Sequence, residues 1–193
     1  LVLKLKNYVN LKKMKKQPKV INLFGSSGSG KSTTALGLTY CLRLLGYKAE
    51  YVSEYAKDLV VEESEHKLKH QLYVFAKQLK RVDVLLDKDL DYIITDSPTL
   101  LSYFYGEKFQ VNLEGFKELV LSSFKSTPQI NIFLKRTLPF DENLRLQTQE
   151  ESDQDSKDLM SMLNLLNVSF IEFPSTSSCV RDIISHIEIL DAN

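Results

Sequence analysis

The sequence predicts an α/β domain in which helices cover both faces of a parallel β-sheet. Along the chain, five short runs of apolar, β-branched and aromatic residues alternate with helical patterns. Such alternation requires parallel strands that are joined by crossover helices. The length of 193 residues suffices for one domain with a sizeable core and little more. We therefore expect a single domain from residue 18 to 193, preceded by a short extension.

The first half of the chain supplies three of the predicted strands. Residues 20–24 are an apolar run that stops at a glycine, as a buried parallel strand does. Residues 32–45 follow as a helix that ends at another glycine, and residues 47–53 alternate as a second strand. Apolar side chains that step by three and four predict a long amphipathic helix over residues 65–86. The run DYIIT, residues 91–95, completes the set as the third strand.

The second half of the chain repeats the alternation with one interruption. Pro98 suits the first turn of a short helix. A polar, charged segment over residues 143–156 lacks apolar periodicity and predicts an inserted loop. The remaining elements are predicted helices over residues 100–105, 113–124, 159–166 and 180–190, and strands over 129–134 and 168–173.

Composition narrows the range of partners and compartments. Lys plus Arg equals Asp plus Glu at 25 each, so global charge favours neither nucleic acid nor an anionic membrane. Cys41 and Cys179 match no metal-ligand spacing, which predicts free thiols in a reducing, cytoplasmic compartment. The first sixteen residues carry six lysines and no acidic residue. We interpret residues 1–17 as a basic extension, non-native before Met14 if translation begins there; the alternative is a basic arm for phosphate or a membrane surface.

One loop carries the most specific signal in the sequence. Residues 25–32, GSSGSGKS, fit the pattern G-x-x-x-x-G-K-[ST] between a predicted strand and a predicted helix. Glycines let the backbone wrap a phosphate, the lysine neutralises the β- and γ-phosphates, and the serine hydroxyl ligates Mg²⁺. A glycine-rich turn that only caps a helix is the alternative. We predict that ATP binds to Gly25, Ser26, Ser27, Gly28, Ser29, Gly30, Lys31, Ser32 and Thr33.

Two acidic residues follow other predicted strands. Asp96 ends the run DYIITD, where a carboxylate holds Mg²⁺ directly or through water, so Ser32 and Asp96 are the predicted metal ligands. Glu54 follows the second strand and is suited to accept the proton of an acceptor hydroxyl. The carboxyl ends of parallel strands share one edge of a sheet, where ligands bind. Alternatively, Asp96 caps the helix at Pro98 and Glu54 faces solvent.

Phosphoryl transfer also needs positive charge over the moving group and exclusion of water. Lys135 and Arg136 follow the fourth strand, and Arg145 lies in the polar segment. We predict a lid over about residues 136–156, with Arg136 and Arg145 as catalytic cations beside Lys31. An exposed charged loop is the alternative for this segment.

These residues resemble a known family. The loop, then SEYAKDLV, HQLYVFAKQLKR, YIITDSP and FLKRTLPFDENLR, are similar in order and spacing to the ribosylnicotinamide-kinase-like P-loop kinases. That group includes the kinase domain of a bacterial NAD-biosynthesis regulator and phage proteins described only as ATPases or nucleotide kinases. The resemblance covers roughly residues 18–190 and implies a P-loop NTPase fold, nucleoside-kinase-like with a lid, that uses Mg²⁺ and ATP.

The resemblance also implies substrate-side residues. By position, Glu54 and Tyr55 match the family's Glu-Tyr after the second strand, and Gln71 matches its glutamine on the long helix, which reads a base in related kinases. The alternative for Gln71 is a partly exposed polar position on an amphipathic helix. Asp96 and Arg145 match the strand-end aspartate and the lid arginine. Tyr103, with Phe104 and Tyr105 beside it, is placed to stack on a ring; the alternative is that these aromatic side chains pack in the core.

Three functions remain open at this point. The first is transfer of the γ-phosphate of ATP to a hydroxyl of a nucleoside-like or nucleotide-like small molecule, of which nicotinamide riboside is one example. The second is a nucleotide-dependent switch or regulatory ATPase. The third is a kinase that acts on an end or a modified base of nucleic acid, which the zero net charge disfavours.

Overall fold

Five parallel strands form the centre of the structure, a computed structural model that describes residues 17–111, 113–137, 139–140 and 147–192. The strands are β1 Lys19–Phe24, β2 Ala49–Val52, β3 Tyr92–Thr95, β4 Gln129–Lys135 and β5 Ile171–Pro174. They are ordered β2-β3-β1-β4-β5, and every neighbouring pair is parallel. The predicted fold class, a five-stranded parallel sheet flanked by helices, is confirmed.

Helices cover both faces of this sheet. They are α1 Lys31–Leu44, α2 Tyr55–Val61, α3 Gln71–Leu86, α4 Leu101–Lys108, α5 Phe116–Phe124, α6 Gln149–Leu165 and α7 Cys179–Ala192, with a 3₁₀ helix at Glu65–Lys69. Within the part of the chain described, none of them is both long and apolar enough to cross a membrane.

Alternating side chains of the central strands enter two different cores. Ile21 and Leu23 of β1 pack with Leu38 and Leu42 of α1 and with α7. Phe24 and Phe133 point the other way, into a core built with α4, α5 and α6. Because successive strand side chains alternate between faces, one apolar run serves both cores.

The prediction of one long helix over residues 65–86 is wrong in one respect, because the helical segment is broken at His70. His70 has φ −88° and ψ 67°, which lies outside the helical region and separates the 3₁₀ helix from α3. Helix α2 was not predicted: its seven residues bury only Leu59, which is too short a pattern to show helical periodicity.

Helix α6 begins ten residues earlier than the predicted 159, at Gln149. Its start is a capping box: Thr148 accepts from the Glu151 backbone N–H at 3.2 Å, and Glu151 accepts from the Thr148 N–H at 2.9 Å. The buried residues of its first half are Ser152 and Asp155, which are polar and so hide the apolar period. The last part of the predicted lid is therefore helical.

Topology places three loops side by side. Strands β2, β3 and β1 are neighbours in the sheet, and each ends at the same edge. Glu54 follows β2, Asp96 follows β3, and the loop of Gly25–Gly30 follows β1. This edge is where the candidate site is built.

Candidate active site

The loop after β1 has a shape that requires glycine at three positions. Gly25, Gly28 and Gly30 have φ of 140°, 75° and 83°, values that residues with a side chain rarely adopt. A Cβ atom on Gly25 would lie 2.5 Å from Ser29 Oγ and 2.8 Å from the Leu134 carbonyl oxygen. The backbone there is both unusual in conformation and tightly enclosed.

Helix α1 begins at this loop with Gly30 at its N-cap position. The first backbone N–H groups of a helix have no partner within the helix, and the helix dipole adds positive potential there. The ammonium group of Lys31 donates to the carbonyl oxygens of Gly25, at 2.8 Å, and Ser26, at 2.9 Å. Lys31 is thus held across the loop, where the phosphates of a nucleotide would bring their charge.

Asp96 joins this helix start to the neighbouring strands. Its Oδ2 atom accepts hydrogen bonds from Ser32 Oγ at 2.5 Å and from the Tyr51 hydroxyl at 2.7 Å. Burial, together with the Asp96 hydrogen bond, raises the pKa of Tyr51, and this phenol, which is protonated at neutral pH even with its ordinary pKa, donates to Asp96. Asp96 is 1% exposed.

The second carboxylate oxygen of Asp96 supports the predicted metal role. Asp96 Oδ1 is buried and has no hydrogen-bond partner among the described residues. An uncompensated carboxylate oxygen beside a serine hydroxyl is an oxygen donor set that suits Mg²⁺, which takes few protein ligands and completes its shell with phosphate and water. No group of three or more His, Cys, Asp or Glu side chains forms a metal site elsewhere in the described ranges.

A cavity of about 400 Å³ extends from the loop toward α2, α3 and α4. Lys31, Ser32 and Thr33 line its phosphate end, and Glu54 and Gln71 line its far part. Apolar and aromatic side chains complete the far wall: Ala56, Val60, Leu68, Val74, Leu101, Tyr105 and Phe109. A phosphate-binding loop and an apolar chamber thus share one space.

Glu54 is positioned by a buried glutamine that sequence reasoning missed. Gln78 Oε1 accepts from the Tyr55 backbone N–H at 2.8 Å, and Gln78 Nε2 donates to the Ser53 carbonyl oxygen at 3.3 Å. The residues on both sides of Glu54 are therefore held by one side chain of α3. These partners lie 23 and 25 positions away from Gln78 along the chain, so nothing in the local sequence marks it.

Gln71 lies in the cavity wall and is 3% exposed. Its amide nitrogen donates to the Leu68 carbonyl oxygen at 2.6 Å, across the break at His70. Its Oε1 atom is buried and has no hydrogen-bond partner in the described part of the chain. A small rotation of this amide would offer an acceptor to a ligand N–H group.

Two of the predicted substrate residues lie away from the cavity wall. The Tyr55 ring packs edge-on against Tyr73, with centroids 5.7 Å apart, and its hydroxyl lies 2.7 Å from that of Tyr73. The Tyr103 ring lies under Lys117 Nζ at 5.4 Å. Tyr105 and Phe109 line the cavity instead, with their rings stacked 6.5 Å apart.

The environment of Tyr105 defines its chemical state. Burial, reinforced by the negative charges of Glu54 and Asp155, raises the pKa of the Tyr105 phenol. A phenol with the ordinary pKa of about 10 is already protonated at neutral pH, and the raised pKa extends this state into more alkaline solution. It offers the cavity a flat face and a hydrogen-bond donor.

The predicted lid cations within the described residues form ion pairs away from the cavity wall. Arg136 pairs with Asp153, and its guanidinium lies 4.9 Å above the Phe140 ring. Lys135 pairs with Glu172 of β5. Arg145 lies outside the described residues.

Two serines far along the chain contact the loop, and neither was a sequence candidate. Ser152 Oγ of α6 donates to the Ser27 carbonyl oxygen at 2.7 Å and lies 3.1 Å from Ser26 Oγ. Ser175, directly after β5, donates to the Ser29 carbonyl oxygen. No local pattern could have found them, because these contacts join residues 146 and 125 positions apart.

The chain is similar to a known family in sequence and to known proteins in fold. A family model described as an AAA domain matches residues 20–181. Thymidylate kinase from Ehrlichia chaffeensis aligns over 92% of this chain and 99% of its own, with 13% identity and a TM-score of 0.57. NadR protein in complex with NR aligns over 85% of this chain at 14% identity and a TM-score of 0.60.

This chain spans 45% of the length of that NadR protein. At identities this low the two likenesses show the fold alone, a five-stranded parallel sheet flanked by helices. No protein of curated function matches the chain in sequence.

Proposed function

We propose that this chain, which belongs to the AAA domain family with a match over residues 20–181, is an ATP-dependent kinase of a small hydroxyl compound. It transfers the γ-phosphate of ATP to a hydroxyl group of a nucleoside-like acceptor. One observation carries the proposal: a single cavity is lined both by the loop at Lys31 and by Glu54 with Gln71. Donor and acceptor can therefore meet without crossing bulk solvent.

The donor end of the cavity suits the triphosphate of ATP. Gly28 and Gly30 present bare backbone there, and Lys31 supplies the positive charge. Ser32 and Asp96 would hold Mg²⁺, which when bound offsets the charge on the transferred phosphoryl group. The Tyr51 hydroxyl keeps the Asp96 carboxylate oriented through its bond to Oδ2.

The acceptor end suits a ring that carries little negative charge. Beyond the loop, Lys57 is the only cation among the described residues that line the wall, and its side chain is exposed. A phosphate-bearing acceptor is normally held by several Arg or Lys side chains. Tyr105 and Phe109 offer aromatic faces to a flat ring instead. We therefore propose a nucleoside-like acceptor, of which nicotinamide riboside is one example.

Glu54 is the group that would orient and deprotonate the acceptor hydroxyl. It lies in the cavity wall after β2, the strand next to β3, which Asp96 follows. The proton would pass from the acceptor oxygen to the Glu54 carboxylate as that oxygen attacks the γ-phosphorus and the bond to the β-phosphate oxygen breaks. ADP leaves with the electron pair of that bond.

The experiment is an acceptor screen with γ-labelled ATP and Mg²⁺. The panel contains nicotinamide riboside, the common nucleosides, their monophosphates and short oligonucleotides, and the Lys31→Ala protein serves as the blank. Label in one nucleoside-like acceptor supports the proposal and identifies the substrate.

Two other outcomes would replace the proposal. Label released only as free phosphate, at one rate with every acceptor, points to a regulatory ATPase. Label in the oligonucleotides, at a rate that falls steeply with rising salt, points to a nucleic-acid kinase, because phosphate contacts release counterions.

A further inference from the structure

We infer that Ser152 and Ser175 are positioning residues that hold the nucleotide-binding loop in its phosphate-binding shape from outside. The inference rests on the nucleotide-binding part of the proposed function and does not depend on the acceptor. Neither serine lines the cavity. They act on the loop from its outer side.

Ser152 holds the first half of the loop. It is 0% exposed, on the first turns of α6. Its hydroxyl donates to the Ser27 carbonyl oxygen at 2.7 Å and also lies within donor range of Ser26 Oγ at 3.1 Å, and its oxygen accepts from Arg136 Nη1 at 3.3 Å. Both the proton and the oxygen of this hydroxyl are thus engaged.

Ser175 holds the second half of the loop. Its hydroxyl donates to the Ser29 carbonyl oxygen, and its backbone N–H donates to the Lys135 carbonyl oxygen at 2.9 Å. The second bond ties Ser175 to the end of β4. The support for the loop is therefore anchored in the sheet.

Because of the geometry of the peptide bond, these two contacts also set the direction of the neighbouring backbone N–H groups. In a trans peptide, the carbonyl of one residue and the N–H of the next point in opposite directions. Holding the Ser27 carbonyl outward turns the Gly28 N–H inward, and holding the Ser29 carbonyl outward turns the Gly30 N–H inward. Gly28 and Gly30 both line the cavity.

The conformational freedom of glycine is the reason why support from outside the loop matters. Gly28 and Gly30 have φ of 75° and 83°, and glycine has more conformational freedom to lose than any other residue. A loop that is already held in shape does not lose this freedom when phosphate binds, so binding is tighter. Removing a serine should weaken phosphate binding without changing a ligand contact.

The test measures ADP affinity by calorimetry for the wild type, Ser152→Ala, Ser175→Ala and the double variant. Ser161→Ala, an exposed serine on the same helix α6, is the matched control. We expect each alanine to weaken ADP binding about fivefold, the equivalent of one hydrogen bond, while Ser161→Ala binds as the wild type does. Ser175→Thr, which keeps the hydroxyl on a half-buried residue, should restore affinity.

Hydrogen exchange separates positioning from a general loss of stability. In the ligand-free variants, the amides of residues 28–32 should exchange faster while those of β3 and β4 keep their wild-type protection. If Ser152→Ala does not fold, the more exposed Ser175→Ala and Ser175→Thr pair still decides the question. Uniformly faster exchange throughout the sheet would show a structural role and overturn the inference.

The remaining outcomes separate the inference from the proposed function. Wild-type affinity for ADP in both alanine variants would overturn the inference alone. A wild-type protein that does not bind ADP would overturn both. Weakened ADP binding in the variants of a protein that transfers no phosphate to any acceptor would support the inference and reject the kinase proposal.

Discussion

The hydroxyl of Ser32 lies 2.5 Å from Asp96 Oδ2 and donates a hydrogen bond to it. Ser32 stands on the first turn of α1, and Asp96 directly follows β3, so this contact joins the helix after β1 to the end of the neighbouring strand. The Tyr51 hydroxyl approaches the same oxygen from β2. Side chains from two elements thus converge on the carboxylate that follows a third, and the other oxygen of that carboxylate has no partner among the described residues.

Tyr51→Phe removes only the hydroxyl that orients Asp96. Partners that orient a metal ligand typically contribute 10- to 100-fold to metal affinity, so we expect Mg²⁺-dependent ADP binding to weaken about tenfold. ADP affinity measured without Mg²⁺ should stay the same. The measurement is an ADP titration at a series of Mg²⁺ concentrations.

Tyr40→Phe is the matched control, because Tyr40 is 64% exposed on α1. It should leave both titrations unchanged. Equal weakening of ADP binding by Tyr51→Phe with and without Mg²⁺ would contradict a role for Tyr51 in orienting a metal ligand.

Gly25→Ala should abolish nucleotide binding. The added Cβ would lie 2.5 Å from Ser29 Oγ and 2.8 Å from the Leu134 carbonyl oxygen, so the loop must move. Gly46→Ala is the comparison: its φ is +90°, but nothing lies within 4 Å of the added Cβ. We expect it to lose only about 1 kcal/mol of unfolding free energy and to bind ADP normally. Normal ADP binding by Gly25→Ala would show that the loop tolerates rearrangement.

Gln78→Met should lower stability and slow the reaction together. The methionine leaves the Tyr55 N–H without its acceptor, which costs about 1–3 kcal/mol of unfolding free energy in urea denaturation. Because the Gln78 side chain bonds to the residues on both sides of Glu54, phosphate transfer should slow as well. Lys80→Met, at an exposed position of α3, should change neither quantity. A stable Gln78→Met protein with a wild-type transfer rate would show that Gln78 does not position Glu54.

Stability should fall above the ordinary pKa of tyrosine, about 10. Burial raises the pKa of Tyr92, with a contribution from its hydrogen bond to Asp191, and burial raises the pKa of Tyr105. The folded state therefore keeps protons that the unfolded chain releases. The stability that these protons contribute is fully present below about pH 10 and is lost as the pH rises toward the raised values.

The measurement is urea unfolding between neutral pH and about pH 11, with a limiting slope of about 1.4 kcal/mol per pH unit for each such tyrosine. The slope of unfolding free energy against pH should be shallower for Tyr92→Phe than for the wild type, by the contribution of one tyrosine. An identical slope in that variant would show that Tyr92 titrates as it does in the unfolded chain.

The sequence predicts those parts of the fold and of the site that have local signals. The β1 strand, the glycine loop and the start of α1 follow one another within residues 19–44, so their pattern is visible in a single stretch. The sequence also predicts Glu54 and Asp96 at one edge of the sheet, because the carboxyl ends of parallel strands lie at the same edge.

What the sequence does not predict depends on packing between distant elements. Tyr51 and Asp96 are 45 positions apart, and Ser152 and Ser26 are 126 apart. The start of α6 had a local signal in Thr148 and Glu151, but the polar buried residues Ser152 and Asp155 concealed its inward face. On α4, Tyr103 and Tyr105 are equally aromatic, and only the helix orientation shows which of them lines the cavity.

The most direct test of the central claim is single-turnover transfer from γ-labelled ATP with the best acceptor of the screen. We predict that label passes to the acceptor in the wild type. We also predict that Glu54→Gln slows this step about 100-fold or more with ATP affinity unchanged, as expected for loss of a general base. Label that leaves as free phosphate, at the same rate with and without acceptor and in Glu54→Gln, would contradict it.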